Sequence, residues 1–268
     1  FTDIVAVNQK NGIQFNGKVL TTPKDPSEAV LSGVKDIIKT NNIDPKNCRI
    51  IHGTTLVANA LIERKGVKTA LLTTQGFKDV LEIGREWRYD LFSLDLEMPL
   101  PIVPRHLRFE IEERINFKGE IIKSLDEKGL IKVAKKIVKS GVETLAIVFM
   151  HSFKNAIHEK LAKKIIEAYV PNLNICLSSI VSPEIGEYER TSTSVANAYV
   201  QPIFKSYVTS LVKGLKKIGI TNDLFLMLSD GGIVHQKTAI EFPIRLVQSG
   251  PAGGAQAATL YGKILKQN

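Results

Sequence analysis

Apolar residues recur along the chain in two alternating rhythms. Short continuous runs or a period of two mark residues 4–7, 18–22, 49–52, 68–73, 109–116, 144–149, 174–178, 224–228 and 242–247, and predict strands. A period near 3.6 marks residues 27–40, where Val30, Leu31, Val34, Ile37 and Ile38 share one face behind Pro26. The same period predicts a helix over 54–64, with Thr54 or Thr55 as N-cap and Gly66 as its stop. Further helices are predicted at 77–83, from an Asp126 cap to 140, at 155–169 and at 255–265. A long one over 189–218 is expected to be interrupted near Pro202.

Strands that alternate with helices indicate an α/β protein. The first two strands flank Asn11-Gly12 and read as an antiparallel pair, which makes the sheet mixed rather than purely parallel. Residues 91–105 contain Pro99, Pro101 and Pro104 and must be extended and irregular. Within it, Met98 to Pro104 is expected to mark a crossover between two lobes. The chain then divides into residues 1–100, an α/β subdomain over 101–185, and residues 186–268, whose long helix returns to the first lobe.

Composition narrows the class. With 268 residues, 44% hydrophobic and 24% charged, the chain can bury a core, and disordered, collagenous and disulfide-scaffold classes are excluded. No apolar run approaches the roughly 20 residues of a membrane helix. The start, Phe1-Thr2-Asp3-Ile4-Val5, lacks the basic region of a signal peptide. Cys48 and Cys176 have no metal-ligand spacing, so a reducing, cytoplasmic compartment is expected.

The net charge of +9 raises the question of nucleic acid. The lysines are scattered on helix faces, as at Lys132, Lys135, Lys136 and Lys139, which is the pattern of a solvated surface. Arginines cluster instead: Arg85, Arg88, Arg105, Arg108 and Arg114 lie in one stretch, and Arg suits bidentate contact with carboxylate or phosphate. The expected anion site is therefore local, and nucleic acid is not an expected partner.

Four segments could carry chemistry. Ser249-Gly250-Pro251-Ala252-Gly253-Gly254 reads as a loop opening a helix, a source of free N–H groups for an anion, or simply a closely packed helix start. Ser229-Asp230-Gly231-Gly232 follows a strand and could hold a metal or water, or be an ordinary turn. His52-Gly53-Thr54-Thr55 lies at a strand end opening a helix, where α/β sheets collect ligands. There His52 is an acid/base group, a hydrogen bonder or a structural histidine. Finally Gly84-Arg85, Arg88 and Asp90, with Glu187-Tyr188-Glu189-Arg190, form an anion clamp or a surface ion-pair cluster.

Taken together these segments resemble the hydantoinase A/5-oxoprolinase family. The resemblance rests on the run from His52-Gly53-Thr54-Thr55 to Arg64-Lys65-Gly66, on Thr73-Thr74-Gln75-Gly76-Phe77-Lys78-Asp79-Val80, and on Gly84-Arg85 with Arg88-Tyr89-Asp90-Leu91. It continues through Val103-Pro104-Arg105, Glu113-Arg114-Ile115, Glu187-Tyr188-Glu189-Arg190, Asn197-Ala198-Tyr199, Ser229-Asp230-Gly231-Gly232 and Ser249 to Gly254. The order and spacing run across almost the whole chain. One departure is Tyr89, where relatives commonly carry Pro.

The resemblance implies an actin-like ATPase fold, ribonuclease H-like, with an inserted α/β subdomain. It implies ATP and Mg2+ or another divalent metal, used to activate an amide or ketone carbonyl. It further implies ring opening of a small cyclic amide such as hydantoin or 5-oxoproline, and a B-type hydantoinase subunit as partner. Ketone carboxylation and a non-catalytic nucleotide-binding or assembly role are the alternatives. The family opens with an Asp-x-Gly-Gly-Thr-Phe-Thr-Asp phosphate loop, of which Phe1-Thr2-Asp3 matches the end, so a fragment lying between two such loops is expected. On the same resemblance Asp3, His52 and Asp230 are expected to be catalytic, with Asp3 also a metal ligand. Thr2, Gly231, Gly232, Ser249, Gly250, Gly253 and Gly254 are expected to hold the nucleotide phosphates. Thr54, Thr55, Arg85 and Arg88 are expected to hold the substrate.

Overall fold

The computed structural model describes residues 1–22 and 25–265. In chain order its regular elements are β1 (Thr2–Val7), β2 (Gln14–Val19), α1 (Pro26–Thr40), β3 (Ile50–His52), α2 (Leu56–Ile62), β4 (Thr69–Thr74) and α3 (Val80–Ile83). Then follow β5 (Arg108–Ile111), β6 (Arg114–Ile115), β7 (Ile121–Lys123), α4 (Glu127–Ser140), β8 (Thr144–Val148), α5 (Ile157–Tyr169), β9 (Asn174–Leu177) and α6 (Ser178–Val181). The last are α7 (Glu187–Ile218), β10 (Leu224–Met227), β11 (Ile233–His235), α8 (Gln236–Glu241) and α9 (Ser249–Ile264). The architecture is mixed α/β. Among the described residues no helix is long and apolar enough to cross a membrane.

Contacts divide the chain into two units, one of Phe1–Ala58 with Ile203–Asn268 and one of Asn59–Pro202. In the first, β1 and β2 form an antiparallel hairpin, Thr2 facing Val19 and Val7 facing Gln14. Burial alternates along both strands, as a period of two requires when one face is covered. The covering element is α1, which buries Ala29, Val30, Val34 and Ile37. Asp25 caps it by accepting from Ser27 N, and Pro26 occupies the first turn, where its missing N–H costs nothing. Gly33 permits the close approach: a Cβ there would stand 2.0 Å from Ile4 Cδ1. A separate sheet of order β11-β10-β3 pairs β10 antiparallel with β11 and parallel with β3.

The second unit is built on a four-stranded parallel sheet of order β5-β4-β8-β9. Every residue of β4 and β8 is buried, the continuous run expected of central parallel strands. Helices α4 and α5 cover the sheet through Leu130, Ala134, Ile137, Ala162 and Ile166, which pack with Leu72, Leu145, Ile147 and Phe149. Asp126 caps α4, and Gly141 ends it in the left-handed region.

Several expectations are corrected. A two-lobe division at the Pro-rich stretch does not hold, because Leu72 pairs with Ile147 in one sheet, before and after the three prolines. An entirely buried strand such as β4 needs a neighbour on each side, and the distant β8 supplies the second. The strand expected over 109–116 breaks into β5 and β6, with buried Glu113 at the break. Helix α7 runs unbroken through Pro202. One lost donor does not end a helix whose Tyr199, Val200, Phe204, Tyr207, Val208 and Leu211 are all buried. Residues 242–247 are not a strand: Pro243–Leu246 is a 3-10 turn after α8. Residues 249–254 are not a loop but the opening turns of α9.

Candidate functional site

Within the first unit, β3 and β10 run side by side with Leu224 opposite Ile50, Phe225 opposite Ile51 and Leu226 opposite His52. Their carboxyl ends therefore share one edge, the side from which ligands are taken in open α/β sheets. From β3 the chain passes through Gly53-Thr54-Thr55 into α2, and from β10 through Ser229-Asp230-Gly231-Gly232 into β11.

Helix α9 starts on that edge. Ser249 is buried and its Oγ donates to the Thr54 carbonyl at 2.9 Å. Gln248 N donates to Ser229 Oγ at 3.0 Å, and Ser229 Oγ donates to Arg245 O at 2.7 Å. Two turns further on, Gln256 Nε2 donates to Gly231 O at 2.9 Å. Three of the four expected segments thus converge. Within α9 the glycines differ in use. A Cβ on Gly250 would meet Thr55 Cγ2 at 3.3 Å, and one on Gly253 would meet Met227 Sδ at 3.1 Å, whereas one on Gly254 would meet nothing within 4 Å. Gly253 is therefore a packing glycine against β10, and Gly254 faces open space.

The loop between β10 and β11 is a tight turn. Leu228 N donates to Gly232 O at 2.8 Å, Gly231 N donates to Leu228 O at 3.1 Å, and Gly231 has φ +83°. Asp230 Oδ1 accepts from Gly232 N at 2.8 Å, so one carboxylate oxygen shapes the turn.

At the end of β3, His52 Nε2 lies 2.7 Å from the Tyr207 hydroxyl. Tyr207 comes from α7 and is also hydrogen-bonded to the Thr54 side chain. Desolvation lowers the His52 pKa to about 4, so the imidazole is neutral at ordinary pH. Burial pushes the Tyr207 phenol up to about 12, which keeps it protonated. Tyr207 was not among the expected site residues. The apolar stripe Phe204, Tyr207, Leu211 marks it as an inward aromatic, but nothing local tells where its hydroxyl points.

The remaining expected residues lie elsewhere. Thr2 Oγ1 bonds Thr21 Oγ1 at 3.3 Å and exposed Asp3 pairs with Lys18 at 3.3 Å, both on the hairpin. Among the described residues no group of three or more His, Cys, Asp or Glu side chains is arranged for a metal ion. Arg85 and Arg88 belong to the second unit. Arg85 pairs with Glu189 and stacks 5.1 Å over Trp87, and Arg88 donates to Ser93 O at 2.8 Å.

Arg190 is not part of a surface ion-pair cluster. It is fully buried beyond the carboxyl ends of β8 and β9, where its guanidinium donates to Ser152 Oγ, to Ser178 Oγ at 2.8 Å, to Phe149 O at 2.7 Å and to Glu187 at 2.6 Å. Beside it, buried Glu159 accepts from Phe149 N at 3.1 Å, Ser178 Oγ at 2.5 Å and Ser179 N at 2.9 Å. Glu113 accepts from Thr74 Oγ1 and lies 2.7 Å from His158 Nδ1.

Family models match this chain along nearly its whole length: the hydantoinase/oxoprolinase N-terminal region over residues 1–170 and hydantoinase/oxoprolinase over residues 190–268. The chain belongs to the hydantoinase/oxoprolinase family. Among family relatives, an uncharacterized protein of Methanocaldococcus jannaschii is 41% identical over 272 residues, covering 100% of this chain and 39% of its own length. The caprolactamase subunit alpha of Pseudomonas jessenii is 33% identical over 264 residues, covering 96% of this chain and 38% of its own. The solved structure of the ATP-dependent caprolactamase from that organism superposes with a TM-score of 0.81 at 31% identity, over 99% of this chain and 39% of the other. A nucleotide-free acetone carboxylase structure superposes with a TM-score of 0.89 at 24% identity, over 98% and 39% of the two chains, and shows the shared fold. The chain thus spans 38–39% of the length of these four relatives.

Proposed function

We propose that the whole protein is an ATP-dependent hydrolase of small cyclic amides, of the hydantoin or 5-oxoproline kind, and that this chain supplies its phosphate-handling corner. The observation that carries the reading is the convergence of Thr54-Thr55, the Asp230 turn and the start of α9 at the carboxyl edge of β3 and β10.

The first turn of α9 fits a phosphate oxygen. The N–H groups of Ser249 and Gly250 precede the first intrahelical bond, in which Ala252 N donates to Gln248 O, and Pro251 has no N–H. Two donors and the positive end of a 16-residue helix then face one anion. Gly254 leaves the adjoining surface free for a ligand, and Gly231 and Gly232 keep the facing turn low. Gly253 contributes by seating the helix on β10.

ATP supplies a phosphoryl group that turns an amide oxygen into a better leaving group. The residues of this chain then have three tasks: to hold the phosphate, to orient the carbonyl and to balance developing charge. We assign the first to Ser249 and Gly250 with Gly231, Gly232 and Gly254, the second to Thr54 and Thr55, and charge balance to His52 and Asp230. Arg85 and Arg88 are assigned to a substrate carboxylate or carbonyl, Arg85 by exchanging its Glu189 partner. Thr2 and Asp3 are assigned to the nucleotide end with a divalent metal. A lone carboxylate suits Mg2+, which takes one or two carboxylates beside phosphate oxygens, but no step here runs through the metal.

The relatives named as subunits support a second subunit as partner. The test is ring opening by the full-length protein with such a subunit, ATP and Mg2+, on hydantoin, 5-oxoproline and a larger lactam. Ring opening matched by ADP release supports the proposal. ADP and phosphate released without ring opening favour the non-catalytic role, and ADP release that requires bicarbonate and a ketone favours carboxylation.

A further inference from the structure

Large apolar residues left in the open concentrate on one stretch of the second unit. Between α3 and β5, Trp87, Leu91, Met98 and Leu100 are exposed, and Phe92 and Leu94 are 93% and 99% exposed. Tyr89 is exposed as well, and Leu96 alone of the large apolar side chains from 87 to 100 is partly covered. The stretch is nevertheless ordered by its own polar groups. Asp90 Oδ1 accepts from Phe92 N at 3.1 Å and from Ser93 N at 3.2 Å. The Arg88 guanidinium donates to Ser93 O at 2.8 Å, and the Tyr89 hydroxyl donates to Glu97 O at 2.7 Å. Arg64 donates to Leu100 O at 2.6 Å and ties the far end to the chain after α2. These bonds close a loop from which Phe92 and Leu94 stand outward.

The exposed area is large for a surface with no function. At roughly 150–250 Å² per aromatic side chain, Trp87, Tyr89 and Phe92 alone present on the order of 500 Å². That already reaches the largest apolar patch of a typical monomer, about 300–600 Å². Leu91, Leu94, Met98 and Leu100 carry it toward the roughly 800 Å² that each partner contributes to a standard interface. The fringe has one sign. Glu86, Asp90, Asp95 and Glu97 are exposed, and none has an ion-pair partner among the described residues. The two cations of the stretch are engaged, Arg85 with Glu189 and Arg88 with Ser93 O. In a chain of net charge +9 this is a local reversal. A two-fold contact between copies of the chain would set the acidic fringe against itself, which like-charge repulsion disfavours. Order that needs no neighbour suits association between separately folded polypeptides, because little conformational entropy remains to be lost on docking.

We propose that the loop from Trp87 to Leu100 is the docking surface for a second subunit, which receives Phe92 and Leu94 in an apolar hollow edged by Lys and Arg side chains. The identity of that subunit rests on the reading given under Proposed function; the surface itself does not.

The test is sedimentation of the full-length protein with the B-type hydantoinase subunit of the same organism, at about 50 and 300 mM NaCl. The expected result is a complex that Phe92→Ser with Leu94→Ser weakens about a hundredfold, while this variant alone keeps its melting temperature and its ADP affinity. Asp95→Lys with Glu97→Lys is expected to weaken the complex about tenfold at the lower salt and less at the higher. An undiminished complex in Phe92→Ser with Leu94→Ser overturns the docking surface. A loss in Asp95→Lys with Glu97→Lys that ignores salt overturns the basic edge. A melting temperature lowered by Phe92→Ser with Leu94→Ser places the loop under the protein's own chain, and self-association of the unaltered protein that this variant abolishes assigns it to a second copy; either result overturns the proposal. An unaltered protein that forms no complex overturns it too, although ring opening by that protein would leave the proposed function standing. A complex broken by the variants but inactive on every ring tested upholds this inference and removes that function.

Discussion

The two units end their parallel strands in opposite ways. At the carboxyl ends of β4, β8 and β9 the chain closes on itself: Glu113, Glu159, His158 and Arg190 are buried, and serine hydroxyls and backbone groups satisfy nearly every polar atom. Arg190 Nε is an exception, buried without a partner. At the carboxyl ends of β3 and β10 lie hydroxyls, an imidazole, glycines and the single Asp230 carboxylate, and among the described residues no partner is found for the N–H groups of Ser249 and Gly250. A saturated ionic network in low dielectric is rigid, and its cost of disruption is high. A hydroxyl cluster with spare donors does little for stability and is free to meet a ligand. The same topological position is thus closed by buried ion pairs in one unit and left open in the other.

Replacing Arg190 should break this contrast most severely. Arg190→Met strands Ser152, Ser178, the Phe149 carbonyl and Glu187 without their donor, and a loss of about 3–5 kcal/mol is expected in urea unfolding. A loss below about 1 kcal/mol would mean that the network is not the anchor described.

The next effect is a pH dependence confined to the first unit. The His52 pKa is about 4 in the folded chain and about 6.5 when unfolded. Above pH 6.5 both states hold the imidazole neutral. As pH falls from 6.5 to 4 the unfolded chain takes up the proton first, so stability declines by about 3 kcal/mol, and it levels off for this group below pH 4. The difference between the unaltered protein and His52→Gln isolates this slope; parallel curves over that range would show that the ring is hydrated.

The glycines of α9 separate packing from opening within a single helix. Gly253→Val drives a branched side chain against Met227 and should cost about 1–3 kcal/mol. Gly254→Ala meets open space and should gain about 0.5–1 kcal/mol from helix propensity. Equal melting temperatures for the two variants would erase the distinction. The smallest effect is Ser249→Ala, which removes the hydroxyl bond to the Thr54 carbonyl and should cost about 1 kcal/mol. Its stronger readout is a weakened nucleotide affinity, since that bond aligns the α9 start with the β3 edge.

The sequence by itself determined the elements whose signals are local. Asp25-Pro26, Asp126 and Gly141 set helix ends through their own side chains or φ, and the runs at 68–73 and 144–149 marked strands, found as β4 and β8. The three glycine and hydroxyl segments of the site were also legible, because turns and helix starts demand those residue types. Tertiary structure alone decided three other matters. Pairing of β4 with β8 depends on which distant run completes the sheet, a choice no local period encodes, so the prolines between them misled as a boundary. Glu113 and Arg190 are charged residue types that sequence alone assigns to the surface; only the partners brought around them make their burial tolerable. Tyr207 stands 155 positions from His52, and a hydroxyl's direction is fixed by the packing of its helix, not by its place in the chain. Short-range sterics and capping are written in sequence neighbours, whereas hydrogen-bond partners of buried side chains are written in the fold.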